Sequence, residues 1–285
     1  MDKILITGSN GFIGNYFLKH YDVKYDINTF SFLKDDFQAL NLEGVNSVIH
    51  LSALVHQMGG ASKEEYEKIN VVQTLDLAKK AKKSGVKHFI FMSTVKVYGE
   101  ETDTPYDENT KCVPQDDYGK SKLKAEIGLQ KLEDDTFKVS IIRTPIVYGM
   151  GVKANIKNLV NLVKRVPVLP FADINNKRSM IFIGNLCYII DEIIKQKKSG
   201  VFLASDDEPI STSKLIDLIA QNLDKKTYLI KIPFFAMLLK LFKPSFYQRL
   251  YGSLELDNTA TRKELDLRSP YTTVKGLRSM IRGEE

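Results

Sequence analysis

The sequence predicts an α/β chain, a doubly wound parallel sheet followed by a smaller domain, on three observations. An apolar run ending at Thr7 meets glycines at Gly8, Gly11 and Gly14, and strand-like runs then alternate with helical ones. Further along, shorter apolar runs are punctuated by Pro167, Pro170, Pro209, Pro233 and Pro244. Alternation of strand and helix implies parallel strands covered on both faces, with ligands bound beyond their carboxyl ends. Residues 1–150 are therefore expected to form the sheet domain, with segments returning to it at about 180–205, and residues 151–285 most of the second domain.

The first element is the strand Ile4–Thr7, which turns through the glycines into a helix over 12–20. Gly8 permits the tight turn, Gly11 lets backbone approach a pyrophosphate, and Gly14 lets the helix lie close to the strand. Free N–H groups at the start of that helix face the anion. Glycine triplets also make ordinary turns, but here the strand, loop and helix follow one another directly, which favours a dinucleotide site. Further strands are expected at Ser47–Ser52, His88–Ser93 and Val139–Arg143, and helices at 62–84, 118–133 and 153–165.

Composition narrows the class. With 43% hydrophobic and 27% charged residues the 285-residue chain has the make-up of a soluble enzyme. A net charge of +6 is spread along the chain, and Lys79, Lys80, Lys82 and Lys83 fit a solvated helix face. That charge suits a phosphorylated small substrate better than nucleic acid. Cys112 and Cys187 have no metal-binding spacing, and the first strand begins almost at the first residue, so a reduced, cytoplasmic protein is expected. The apolar stretch Ile232–Phe242 is too short to span a bilayer and is expected to be a packed helix of the second domain, without stable membrane insertion.

Chemistry is expected just past the strand ends. Tyr118 and Lys122 lie four residues apart and share a helix face. A lysine ammonium favours the phenolate, which makes Tyr118 a general acid/base for a carbinol or carbonyl. Tyr271 and Lys275 repeat the spacing, but in the C-terminal tail rather than after a sheet strand.

Taken together, TGSNGFIG, HLSA at His50–Ala53, STVKVYG at Ser93–Gly99, YGKSK at Tyr118–Lys122 and RTPIVYGMG at Arg143–Gly151 resemble the extended short-chain dehydrogenase/reductase family. The likeness is to its nucleotide-sugar epimerase, dehydratase and reductase branch. It implies a Rossmann-type sheet with a smaller C-terminal substrate-binding domain, a nicotinamide cofactor, a UDP-sugar substrate and a homodimer. On this resemblance Thr94 holds the reacting oxygen, with Ser93 the runner-up, Tyr118 is the acid/base, and Lys122 binds the nicotinamide ribose and tunes Tyr118. Gly8, Asn10, Gly11, Phe12, Ile13 and Gly14 form the glycine loop, and Asp36 and Phe37 contact the adenine. Leu51, Ser52 and Ala53 line the cofactor, and Thr144 and Pro145 lie near the nicotinamide. Asn155, Arg178 and Arg249 hold the nucleoside diphosphate, and Val55, His56 and Met58 face the sugar together with Thr94. The plain alternatives are a turn hydroxyl for Thr94, a helix cap for Asn155 and surface ion pairs for the two arginines. Tyr98 and Tyr148 are expected to pack.

Two departures from the family pattern bear on the chemistry. The second strand region offers Phe30, Ser31, Phe32 and Lys34 where an acid usually holds the ribose, which tilts the cofactor within NAD(P)(H) toward NADP(H), unless Asp26 is that acid. Val95 and Lys96 stand where the family's dehydratases carry an Asp-Glu pair, so dehydration is not expected. The chain is short for an epimerase of this branch, and Ser52–Gly60 and Arg249–Asn258 resemble a subgroup containing reductases of UDP-4-keto-6-deoxy-N-acetylhexosamines in surface-polysaccharide synthesis. The 4-ketoreductase is accordingly the leading expectation, an NAD-dependent UDP-sugar 4-epimerase the alternative, and a non-catalytic nucleotide-binding module a remote third.

Overall fold

The computed structural model describes residues 1–55 and 61–283. Its strands are β1 (Lys3–Thr7), β2 (Asp26–Phe30), β3 (Ser47–His50), β4 (His88–Thr94), β5 (Lys138–Thr144), β6 (Ile146–Tyr148), β7 (Val168–Leu169), β8 (Met180–Phe182), β9 (Gly200–Leu203) and β10 (Tyr228–Leu229). The helices are α1 (Phe12–Tyr21), α2 (Lys63–Tyr66), α3 (Gln73–Lys83), α4 (Asp117–Gln130), α5 (Ala154–Arg165), α6 (Ile183–Gln196), α7 (Thr212–Asn222), α8 (Phe235–Phe242), α9 (Pro244–Tyr251), α10 (Thr259–Glu264) and α11 (Thr273–Arg282). Six strands make one parallel sheet in the order β2-β1-β3-β4-β5-β9.

Period-two alternation divides the strand side chains between two cores. Ile4, Ile6, Ile90, Met92 and Ile142 pack with Phe17 of α1 and Ile190 and Ile193 of α6. Their neighbours Leu5, Phe89, Phe91 and Ile141 face the other side, against Leu77 and Ala81 of α3 and Ala125 and Leu129 of α4. The first core continues without a break into the C-terminal elements, through Ile156, Phe171, Phe182, Ile216, Ile219 and Leu277. There β6 pairs with β8 and β7 with β10, both parallel.

The chain leaves β1 toward β2 and returns on the other side as β3, which opens a crevice at the ends of β1 and β3. The glycines set its shape. Gly8 has φ +73°, and a Cβ there would lie 2.7 Å from the Ser52 nitrogen. A Cβ at Gly14 would lie 2.5 Å from the Gly8 carbonyl oxygen, so α1 rests directly on the loop.

Three expectations change. The helix expected over 62–84 is interrupted by a π-helical turn at Glu67–Val72. Asp26 opens β2 opposite Lys3, at the far end from the crevice, and so cannot be the ribose acid. In Ile232–Phe242 the helix begins only at Phe235, and none of its residues is buried. Phe235 and Leu239 rest partly on the core, whereas Phe234, Met237, Leu241 and Phe242 are exposed.

Gly14→Ala is predicted to lower the unfolding free energy by about 1–3 kcal/mol, the usual penalty of overpacking, and to weaken dinucleotide binding. Urea unfolding and cofactor titration check both; unchanged values for both would refute the close-approach role.

Candidate active site

The reactive end of the sheet is built where β4 and β5 finish side by side, Thr94 opposite Thr144 in register. Thr94 is buried, and its Oγ1 accepts the Lys96 N–H at 3.3 Å, capping a short 3-10 turn at Val95–Val97. Asp116 caps α4 by accepting the Gly119 N–H at 2.7 Å. A Cβ at Gly119 would lie 2.7 Å from the Lys96 carbonyl oxygen, so only glycine allows α4 to abut that turn. This docking brings the Tyr118 phenol into hydrogen bonding with Thr94. One helical turn on, Lys122 is buried with its ammonium 3.8 Å from the Phe91 ring centroid. Thr94 and Tyr118 are thus joined at the strand end, with Lys122 one helical turn along α4.

Ser93 points elsewhere, because successive strand residues face opposite sides of the sheet. Its hydroxyl donates to the Glu126 carboxylate, which pairs with Arg143 at 2.6 Å. Arg143 in turn donates to the Tyr98 hydroxyl at 2.6 Å. Ser93 and Tyr98 are therefore parts of a buried network that pins α4 to β4 and β5. Tyr148 is buried and donates to Asp206 at 2.7 Å, a packing role.

Burial shapes the titration of the site. Desolvation raises the Tyr118 pKa, Asp116 raises it further, and the hydrogen bond with Thr94 pulls the other way. Lys122 is pushed down to about 7 by burial, against the attraction of Glu126. His50, hydrogen-bonded to Thr7 Oγ1 at 2.6 Å and Thr74 Oγ1 at 2.9 Å, is lowered to about 3 by burial and by Lys122, and so stays neutral.

The crevice suits a dinucleotide. Gly11, next to Asn10, is the N-cap of α1 without a side-chain cap and spends its own N–H on the Gly8 carbonyl at 2.9 Å; the first turn holds no acidic residue, so the N–H groups of Phe12 and Ile13 suit an anion. Leu51, Ser52 and Ala53 border it half-buried, with the Ser52 N–H donating to Thr7 Oγ1 at 3.3 Å. Past β2, Ser31 and Lys34 flank Asp35, whose carboxylate accepts the Ser31 N–H at 2.7 Å. Asp36 accepts the Gln38 N–H at 2.9 Å, and Phe37 stacks on Phe32 with centroids 5.7 Å apart. Thr144 donates to the Ser93 carbonyl at 3.2 Å, and half-buried Pro145 follows it.

Sequence reasoning missed Asn70. Buried in the π-helical turn, it accepts the Leu54 N–H at 2.8 Å and donates to the Leu54 carbonyl at 2.9 Å and Ser121 Oγ at 3.0 Å. It ties the loop after β3 to α4. The available signal was an amide amid the apolar positions of a helical run. Asp35 was also missed, since its reach back to Ser31 depends on the turn.

Asn155, Arg178 and Arg249 line a single cavity of about 330 Å³, with Ile146, Met180 and Phe246 among its walls. Asn155 is not a helix cap, that position being Lys153. Arg178 donates to the Gly252 carbonyl at 3.0 Å rather than standing as a surface ion pair; burial lowers its pKa, against the pull of Glu101 and Glu100. Val55 is exposed, and His56 and Met58 lie outside the described residues.

Residues 4–203, most of the chain, match the model of the NAD dependent epimerase/dehydratase family. The chain belongs to that family. UDP-glucose 4-epimerase of Vibrio cholerae is 37% identical over 306 aligned residues, covering 97% of this chain and 93% of that protein. The N-acetyl-alpha-D-glucosaminyl-diphospho-ditrans,octacis-undecaprenol 4-epimerase of Escherichia coli O157:H7 is 27% identical, over 82% of this chain and 76% of its own length. Among solved structures, UDP-N-acetylglucosamine 4-epimerase from Bacillus cereus shares the fold with a TM-score of 0.82 at 19% identity, covering 99% of both chains.

Two stability measurements test this family member's site. Glu126→Ala strands Arg143 in the interior and is predicted to cost about 3–5 kcal/mol. Asp117→Ala removes only an exposed pair with Lys120 and should cost about 0–1 kcal/mol. Equal costs in urea unfolding would refute the anchoring role. For Lys122, the unfolded chain holds a proton between about pH 7 and the ordinary lysine value near 10.4 that the folded chain does not. Folding stability therefore gains with pH across that window. The stability of Lys122→Met relative to the wild type should fall from pH 7 to pH 10, and a constant difference would contradict the lowered pKa.

Proposed function

We propose that this protein is an NAD-dependent 4-epimerase of UDP-hexoses. The observation that carries the reading is the 37% identity to the Vibrio cholerae UDP-glucose 4-epimerase along nearly the full length of both chains. It displaces the 4-ketoreductase as the leading reading, since both activities use the same apparatus of Thr94, Tyr118 and Lys122. The sheet domain, residues 1–150 with the returning segment, holds the cofactor, and residues 151–285 supply most of the sugar site. A homodimer pairing through α4 is part of the same reading.

NAD, held by the glycine loop at Gly8, Gly11 and Gly14 and by Leu51, Ser52 and Ala53, would supply the acceptor and then the donor of the carbon 4 hydride. Tyr118 Oη takes the proton of the 4-hydroxyl as the ketone forms and gives it back as the new carbinol forms. Thr94 Oγ1 holds the same oxygen, and the Lys122 ammonium stabilises the phenolate that burial otherwise disfavours. Arg178 and Arg249 grip the diphosphate while the keto-sugar turns over in the cavity, Asn155 beside them. Asp35, in the turn after β2 where its carboxylate is tied to the Ser31 N–H, supports NAD, since an acid there would repel a 2′-phosphate.

Purified protein incubated with UDP-glucose is expected to form UDP-galactose without net change in nicotinamide absorbance. Tyr118→Phe should lower turnover by about 10²–10⁴-fold while keeping NAD binding. Stoichiometric NADPH or NADH oxidation by UDP-4-keto-6-deoxy-N-acetylglucosamine, with no epimerisation, would overturn this reading in favour of the reductase.

A further inference from the structure

We propose that α8 and the turn into α9 form a peripheral membrane-docking element, which seats the mouth of the substrate cavity against an anionic bilayer. Phe234, Met237, Leu238, Leu241 and Phe242 recur at helical spacing and form an outward apolar stripe, with Leu241 70% and Phe242 71% exposed. The opposite face is apolar too. Phe235 and Leu239 rest on the core, with the Phe235 ring 6.2 Å from that of Phe171. The helix is therefore held in place by one apolar face while it presents another to solvent. Phe234 enters it at φ +62°, a left-handed conformation that a bulky L-residue rarely adopts.

The charge around the stripe identifies the occupant. Residues 225–254 contain Lys225, Lys226, Lys231, Lys240, Lys243 and Arg249 and no aspartate or glutamate. The whole chain has 41 basic against 35 acidic side chains, so this stretch carries the entire net charge of +6 and the remainder is balanced. Acidic groups reach it from outside: Asp173 pairs with Lys231 at 3.6 Å, and Glu101 and Asp103 share a cleft with Lys240. Aromatic and leucine side chains along one face, flanked by lysines, are the composition of helices that lie in the headgroup layer of anionic membranes. No helix among the described residues is long and apolar enough to cross a membrane.

The turn into α9 reaches the substrate cavity through one side chain. Phe246, two residues into α9, is 44% exposed and also lines the cavity beside Arg249. Docking through α8 would place that opening at the headgroups. The proposal goes beyond the epimerase reading, and its test uses no sugar substrate.

The test is co-sedimentation of the full-length protein with vesicles of phosphatidylglycerol and phosphatidylethanolamine, or of phosphatidylcholine alone, over a range of salt. Binding to the anionic vesicles is expected, weakening with salt. In the double variant Leu241→Glu, Phe242→Glu it should fall at least about tenfold, with the melting midpoint and NAD binding unchanged. Wild-type protein left in the supernatant with anionic vesicles, or a double variant that sediments as well as the wild type, would overturn the proposal. Loss of self-association in the double variant, with no vesicle binding by either protein, would overturn it in favour of an interface between copies of this chain.

Discussion

The geometry of the reactive end rests on the buried ion pair between Glu126 and Arg143. Each group alone would be an uncompensated charge in the interior, so neither the helix nor the strand that carries them can move independently. Glu126 lies one helical turn beyond Lys122 and two beyond Tyr118, and its second partner is Ser93 on β4. Fixing this one carboxylate therefore fixes the position of the phenol relative to Thr94. It also places a negative charge close enough to Lys122 to oppose the loss of its proton.

The rest of the site is assembled by close backbone approach. Gly119 lets α4 meet the turn after β4, and Gly8 and Gly14 let the first loop meet both α1 and the segment after β3. Asn70 completes the frame with an amide, donating and accepting across the gap between Leu54 and Ser121. Its π-helical turn interrupts the regular ladder of bonds where the functional loop must be held, a common setting for such turns.

The local parts of this arrangement were legible in the sequence. The glycine loop could be read because strand, turn and helix follow within fourteen residues and each glycine has its own steric reason. The Tyr118 and Lys122 pair could be read because helical spacing fixes which side chains share a face. What could not be read depended on orientation or on distant partners. Ser93 and Thr94 are adjacent hydroxyls, and only the strand register decides which meets Tyr118. Asp26 opens β2 whereas Asp35 lies in the turn beyond its end, and telling them apart needs the strand boundary. In Ile232–Phe242 the apolarity was plain, but a helix apolar on both sides gives no sign of which side the core takes.

The core that joins Ile4 to Leu277 has a consequence for how a ligand is admitted. Phe182 packs against Tyr271 and Tyr148, and the ring lies so near α11 that a Cβ at Gly276 would come within 2.8 Å of it. Among the described residues the two halves of the molecule thus share one apolar filling, and swinging one from the other would expose it. A ligand site straddling them is built on that shared core rather than on a hinge between two separate ones. Selection among ligands then falls to the shape of its walls and to the loops at its rim.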